Sequence, residues 1–262
     1  MKDFTLVLGG GASKGYAHIG ILKVLEQHNI LPNLIIGTSM GALVGGLYAS
    51  GKTAQQLEQL AMKVNSLGSF SLFSTLFKDS LLSISKIKRI LKKEIGETTH
   101  DDCKIKFVSV ATQLNTGKEK HFSSGNLFNS IMASIAVPGI LPSVKIDNDI
   151  YCDGGVLNNL PEDVAKQLAP DSVIISVDVI GNYADQYENI KMKAINNMVN
   201  STTLMTTNVV KNRPQYADLR ITISQPHVSQ MDFSNKTAKK SILKGTTVGK
   251  QYLQQIKKLL EV

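Results

Sequence analysis

The chain has 262 residues, 42% of them apolar and 19% charged, a composition that excludes disorder and is ample for one large domain with a real core. The 29 Lys and Arg outweigh 21 Asp and Glu to give +8, and the excess is local: Gln186–Val262 carries 12 basic residues against 4 acidic, while residues 1–185 hold 17 of each sign. No stretch approaches the ~20 apolar residues of a membrane span, and neither an aromatic single-strand platform nor zinc-finger spacing supports nucleic acid. The basic third reads either as solvated helix faces or as a surface for anionic membrane.

In chain order, Phe4–Leu8 is a short apolar run read as a buried strand, and it is too short for a signal peptide. Helical spacing of Ile19, Ile21, Leu22 and Leu25 predicts a helix over Ala17–His28. Leu34–Ile36 is a second strand and Met40–Ala49 a second helix, and Thr53 with Gln56 reads as a capping box that starts a third. Lys106–Ala111 and Val173–Val179 are β-branched runs of the kind buried on both faces. This alternation predicts an α/β fold around a mainly parallel sheet. After Asp185 two amphipathic helices are expected, one with Ile195, Met198, Met205 and Val209 on its apolar stripe, the other with Leu253, Ile256 and Leu260. No repeat, low-complexity tract or linker divides the chain, so residues 1–262 are expected to form one domain. Cys103 and Cys152 neither staple a scaffold nor carry metal-ligand spacing, and the expected compartment is a reducing cytoplasm.

Three constellations carry chemistry. Gly9-Gly10-Gly11-Ala12-Ser13-Lys14-Gly15 joins the first strand to the first helix. Its glycines permit a tight turn, and the helix start offers unpaired N–H groups to a phosphate or an oxyanion. A dinucleotide site would need an acidic residue at the end of the second strand, where this chain has Gly37-Thr38-Ser39. Gly37-Thr38-Ser39-Met40-Gly41 is a G-x-S-x-G pattern between strand and helix, the context in which a sharp turn projects the serine hydroxyl. Only about 35 residues precede it, fewer than an α/β-hydrolase places before its elbow. The third is Asp153-Gly154-Gly155, which taken alone is also an ordinary strand-end turn.

The five histidines, His18, His28, His100, His121 and His227, read as packing or surface residues rather than as a triad base. Gly46–Thr53 matches the P-loop pattern by letter, but a helix precedes it instead of a strand, so Gly51 reads as a C-cap and Thr53 as an N-cap. Leu67–Leu82, with Phe70, Leu72, Phe73, Leu76 and Phe77, reads as core packing, as an acyl-chain wall or as a mobile lid.

Taken together, Leu6–Gly11 through Gly15–Gly20, the elbow at Ser39, Ala136-Val137-Pro138-Gly139 with Pro142, Tyr151–Gly155 and Asn158-Asn159-Leu160-Pro161 resemble the patatin-like phospholipase family over about residues 4–180. The resemblance implies a three-layer fold, a mainly parallel sheet flanked by helices, with the basic C-terminal helices of about 185–262 packed on it. It also implies a Ser–Asp dyad of Ser39 as nucleophile and Asp153 as general base, with no cofactor and no metal. Gly10, Gly11 and Ala12 would form the oxyanion hole, supported by Lys14, Gly15, Gly37, Gly41, Gly154 and Gly155. The expected substrate is a lipid acyl ester, with peripheral binding to the inner face of an anionic membrane as a further expectation. Two departures stand out: Ala12 replaces the family's middle loop glycine, and Lys14 replaces its usual arginine, which loses the planar fork. A regulatory protein on the same fold, with little turnover, is the alternative.

Overall fold

The computed structural model describes residues 1–66, 79–181 and 194–262. Among the described residues eight strands form one sheet in the order β5-β6-β3-β2-β1-β7-β8, with β4 folding back on β3. They are β1 (Phe4–Leu8), β2 (Leu34–Thr38), β3 (Lys106–Gln113), β4 (Lys118–Phe122), β5 (Val144–Ile146), β6 (Asp149–Asp153), β7 (Val173–Asp178) and β8 (Leu219–Thr222). Neighbours along β3-β2-β1-β7-β8 run parallel, while β4, β5 and β6 join antiparallel. The mainly parallel sheet is therefore as expected. β8 is an addition: the basic C-terminal portion is mainly helical, as expected, and it also supplies an edge strand.

The two-residue period of the strands sorts the core into two layers. Leu6 and Leu8 of β1 pack on one face with helices α1 (Ala17–Gln27), α2 (Met40–Ala49), α3 (Ala54–Ser66), α5 (Leu127–Ser134) and α8 (Asn235–Leu260). Val7 points the other way, to Val164 and Ala165 of α6 (Glu162–Leu168), with Val210 of α7 (Ala194–Asn212) beside them. α4 (Asp79–Ile95) contributes Leu91 and Ile95 to the first layer. A sheet covered on both faces explains why its strands read as continuous apolar runs.

Two expectations at element boundaries are met closely. Thr53 and Gln56 exchange the reciprocal bonds of a capping box at the start of α3, at 2.9 and 3.2 Å. Gly51 closes α2 at φ +104°, so the P-loop lookalike is a helix end followed by a helix start. α7 is oriented differently from the expected stripe. Thr203 and Thr206 face inward and Met205 is 68% exposed; the side chains of Ile195 and Met198 lie outside the described residues. The apolar spacing misled because this face of α7 looks into a cavity rather than into packed core.

α8 lies along α1 at close range. A Cβ on Gly20 would sit 2.2 Å from the Ile242 carbonyl oxygen, and one on Gly245 would sit 2.0 Å from that of Ala17. Only glycine permits this backbone approach.

Candidate active site

β1 lies between β2 and β7, so the chain reverses its direction of sheet growth at β1, and the crevice at such a switch point is where α/β folds bind ligands. The glycine loop leaves the carboxyl end of β1 and the Ser39 turn leaves that of β2, which brings them together. β6 delivers Asp153 from the other side of β3, paired with Ala111.

Ser39 occupies a sharp turn at φ 55°, ψ −123°. A non-glycine residue there carries strain of ~1–3 kcal/mol and persists only where its surroundings enforce it. Its N–H donates to Ser134 Oγ at 2.9 Å, Ser134 Oγ donates onward to the Val110 carbonyl at 2.6 Å, and its own carbonyl accepts from Leu43 at 3.0 Å. Thr38 Oγ1 donates to the Asn158 carbonyl at 2.9 Å, which pins the preceding residue. The flanking glycines are sterically required. A Cβ on Gly37 would meet the Gly41–Ala42 backbone at 2.6 Å, and one on Gly41 would meet the Leu8 carbonyl oxygen at 2.0 Å.

Asp153 ends β6, with its N–H on the Ala136 carbonyl at 2.9 Å and its carbonyl accepting from Thr112 Oγ1 at 3.0 Å. Oδ1 accepts the Gly155 N–H at 2.7 Å. Oδ2 is buried with no hydrogen-bond partner, and the Ser39 hydroxyl interacts with this carboxyl. Burial pushes this carboxyl up to about 6, against the opposing pull of the Ser39 hydroxyl and the Gly155 N–H. Gly154 is held against Val110, where a Cβ would come within 2.2 Å of the carbonyl oxygen.

The glycine loop divides its labour in a way the sequence did not reveal. The Gly10 N–H is already spent on the Asn159 carbonyl at 3.0 Å, which removes Gly10 from the expected set of oxyanion donors. Asn159 Nδ2 returns a bond to the Gly10 carbonyl at 3.2 Å, so Gly10 straps the loop to the Asp153 turn. Among the described residues the N–H groups of Gly11 and Ala12 donate to no protein acceptor, and both residues line the cavity that holds Ser39 and Asp153. Met40 N–H, at the first position of α2, is likewise unspent. Ala12 sits at φ 47°, so the alanine occupies a left-handed position that favours glycine.

Of the other expected supports, Lys14 is buried behind the loop. Desolvation lowers it to about 8, opposed by the nearby Asp178 carboxylate. Gly15 makes room for the Met40 side chain, at 2.3 Å from where a Cβ would stand. His18 is fully buried. Its Nε2 bonds the Gly9 carbonyl at 2.8 Å and burial lowers its pKa to about 4, so it is a neutral prop of the loop. Asn159, Ser134 and Met40 were not among the expected site residues. Asn159 had a signal, since Asn158-Asn159 follows the aspartate turn; Met40 had its place after the serine; Ser134 had none.

Ser39, Asp153, Gly11 and Ala12 open into a cavity of about 220 Å³. Leu43, Val44 and Leu47 of α2, Leu57, Leu60 and Ala61 of α3, and Leu91 of α4 form its apolar wall. The acyl-wall expectation at Leu67–Leu82 falls outside the described residues as far as residue 78, and the wall seen here comes from neighbouring helices.

Residues 6–166 match the family model described as Patatin-like phospholipase. The chain is 32% identical over 209 residues to an uncharacterized NTE family protein of Mycobacterium tuberculosis, an alignment spanning 77% of this chain and 57% of that protein. It is also 32% identical over 178 residues to Lysophospholipase nte1 of Emericella nidulans, spanning 66% of this chain and 12% of that much longer protein. Among solved structures, VipD from Legionella pneumophila shares the fold, with a TM-score of 0.54 at 13% identity, over 97% of this chain and 67% of that one.

Proposed function

The chain belongs to the patatin-like phospholipase family, and on that premise we propose that it is a serine acyl hydrolase of lipid esters working through Ser39 and Asp153. One observation carries the reading: the strained Ser39 hydroxyl interacts with a buried carboxyl whose Oδ2 has no hydrogen-bond partner, and both residues line an apolar cavity. Asp153 Oδ2 takes the Ser39 proton as Oγ attacks the ester carbonyl, and the leaving alcohol departs with a proton. An acyl-serine remains, and water activated by the same carboxylate hydrolyses it to the free acid. A carboxyl at about 6 is a better base than an ordinary aspartate by about two powers of ten, and it is still ionised at neutral pH. The tetrahedral oxyanion rests on the N–H groups of Gly11, Ala12 and Met40, each worth ~10²–10³ in kcat. The apolar wall accommodates the acyl chain.

A fluorophosphonate probe tests the nucleophile directly. Wild-type protein is expected to label at Ser39, and Ser39→Ala to lose both labelling and hydrolysis of a p-nitrophenyl acyl ester by at least ~10³-fold. Equal turnover by Ser39→Ala overturns the assignment. The strained Ala12 favours the second reading, a regulatory protein on this fold, and wild-type protein that neither labels nor turns over would support it.

The positive charge supports a peripheral role on anionic lipid. α8 carries Lys236, Lys239, Lys240, Lys244, Lys250, Lys257 and Lys258 with no acidic residue between Asn235 and Leu260, and none of these lysines forms an ion pair among the described residues. The helix begins just after Met231 and Phe233, which line the cavity. Among the described residues no helix is long and apolar enough to cross a membrane. Co-sedimentation with liposomes is expected to rise with anionic lipid and to fall with salt; independence of both refutes it.

A further inference from the structure

The cavity beside Ser39 is apolar along α2, α3 and α4, but α7 and the loop before α8 give it a polar lining in which Thr202, Thr203, Thr206 and Gln230 take part. Gln230 is the unusual member. Thr203 Oγ1 donates to its Oε1 at 3.2 Å, and its Nε2 is sealed from solvent yet donates to nothing. A buried donor left unspent is costly and rare in a folded protein, and because Gln230 lines the cavity, a turn of its amide presents the donor to a ligand's acceptor oxygen.

The residue is also fixed in advance. Its main-chain carbonyl accepts the Ser13 N–H at 3.1 Å, and the Ser13 hydroxyl donates to the Ser229 carbonyl at 2.8 Å. Ser13 follows Ala12 directly, so the loop bearing Gln230 is bolted to the turn that carries the unspent N–H groups of Gly11 and Ala12. With its backbone anchored in this way, Gln230 keeps its place beside the cavity, which limits the freedom lost on binding.

The substrate's chemistry selects the partner. The scissile carbonyl oxygen is matched by the main-chain donors around Ser39, and an acyl chain has no further acceptor. Acceptor oxygens remain only on the alcohol half of the ester. We propose that Gln230 is a specificity-determining residue whose side-chain N–H recognises a hydroxyl or phosphate oxygen on the glycerol portion of a lipid ester. This rests on the acyl hydrolase reading and assigns the polar side of the same cavity to the leaving group.

The test compares kcat/KM for monooctanoylglycerol, an octanoyl lysophospholipid and p-nitrophenyl octanoate, which share an acyl chain and differ in the alcohol. In Gln230→Leu the ratio of the glycerol-based substrates to the aryl ester is expected to fall about tenfold, the size of one good hydrogen bond. A fall in the lysophospholipid ratio alone identifies phosphate as the acceptor, and a fall in both identifies a hydroxyl. Gln230→Glu keeps the shape and the Thr203 contact, so it guards against a folding defect; its ratio is expected to fall furthest for the lysophospholipid, whose phosphate a carboxylate repels. Ratios that stay within twofold of wild type in both variants, whether through uniform loss or none, overturn the assignment while Ser39 still turns substrate over. Wild-type protein inert on all three substrates and unlabelled by the probe overturns the hydrolase reading, and this one with it.

Discussion

Asp153 and Glu162 stand nine residues apart in the chain, and both are buried, at 5% and 2% exposure, yet the fold treats them in opposite ways. Glu162 is fully satisfied. Arg220 clasps it with two bonds of 2.7 Å, Ser176 Oγ donates at 2.6 Å, and the N–H groups of Tyr216 and Ala217 reach Oε2 at 3.0 and 3.3 Å. Burial alone would push its carboxyl up, but these partners outweigh it and hold the group below the usual range. Asp153 has one main-chain donor on Oδ1 and an unfilled Oδ2, and burial prevails. Glu162 fastens α6 to β7 and β8. Asp153 keeps a lone pair in reserve, and the reserve costs stability.

Substitutions at the two positions sharpen that contrast. Asp153→Asn is expected to lower ester hydrolysis by at least ~10³-fold, because the proposed base is gone while Oδ1 still accepts from Gly155. In wild type the acid limb of kcat/KM is expected to break at about pH 6 and fall tenfold per unit below it; a rate unchanged down to pH 4.5 would exclude Asp153 as the base. Glu162→Gln leaves Arg220 without its counter-charge and is expected to cost about 3 kcal/mol, seen in a denaturant titration at pH 7. The lowered pKa places the Glu162 contribution above the ordinary carboxylate range and has it fade as pH falls through the native value.

Asp153→Asn is expected to act oppositely on stability, raising it by up to about 3 kcal/mol above pH 7. The sign follows from a pKa raised on folding: the protonated wild type is the more stable form, so the advantage of the variant shrinks below about pH 6 and vanishes near pH 4. Equal Tm shifts at pH 8 and pH 4 would break the contrast. Ala12→Gly, which relieves a left-handed alanine, is the smallest effect, a gain of about 1 kcal/mol or a few degrees in Tm.

Much of this was legible in the sequence. The parallel strands declared themselves as apolar runs, and the elbow came with both glycines, because Gly37 and Gly41 answer to hard backbone contacts that leave no other residue possible. Gly10 was misassigned because a glycine that offers an N–H and one that spends it look identical as letters; only the position of Asn159 separates them. β8 was missed because Leu219-Arg220-Ile221 is short and borrows its stability from β7 and from Glu162. Thr203 and Thr206 lie off the expected apolar stripe of α7, and a cavity rather than solvent lies in front of them.

The crossing of α1 and α8 has a mechanical meaning. With main chain resting on main chain at Gly20 and Gly245, the two helices behave as one stiff beam, with the glycine loop just ahead of one helix and the lysines along the other. On the proposed reading, whatever α8 leans on sets the tilt at which the Ser39 cavity meets a lipid, the foot and the tool being parts of one beam.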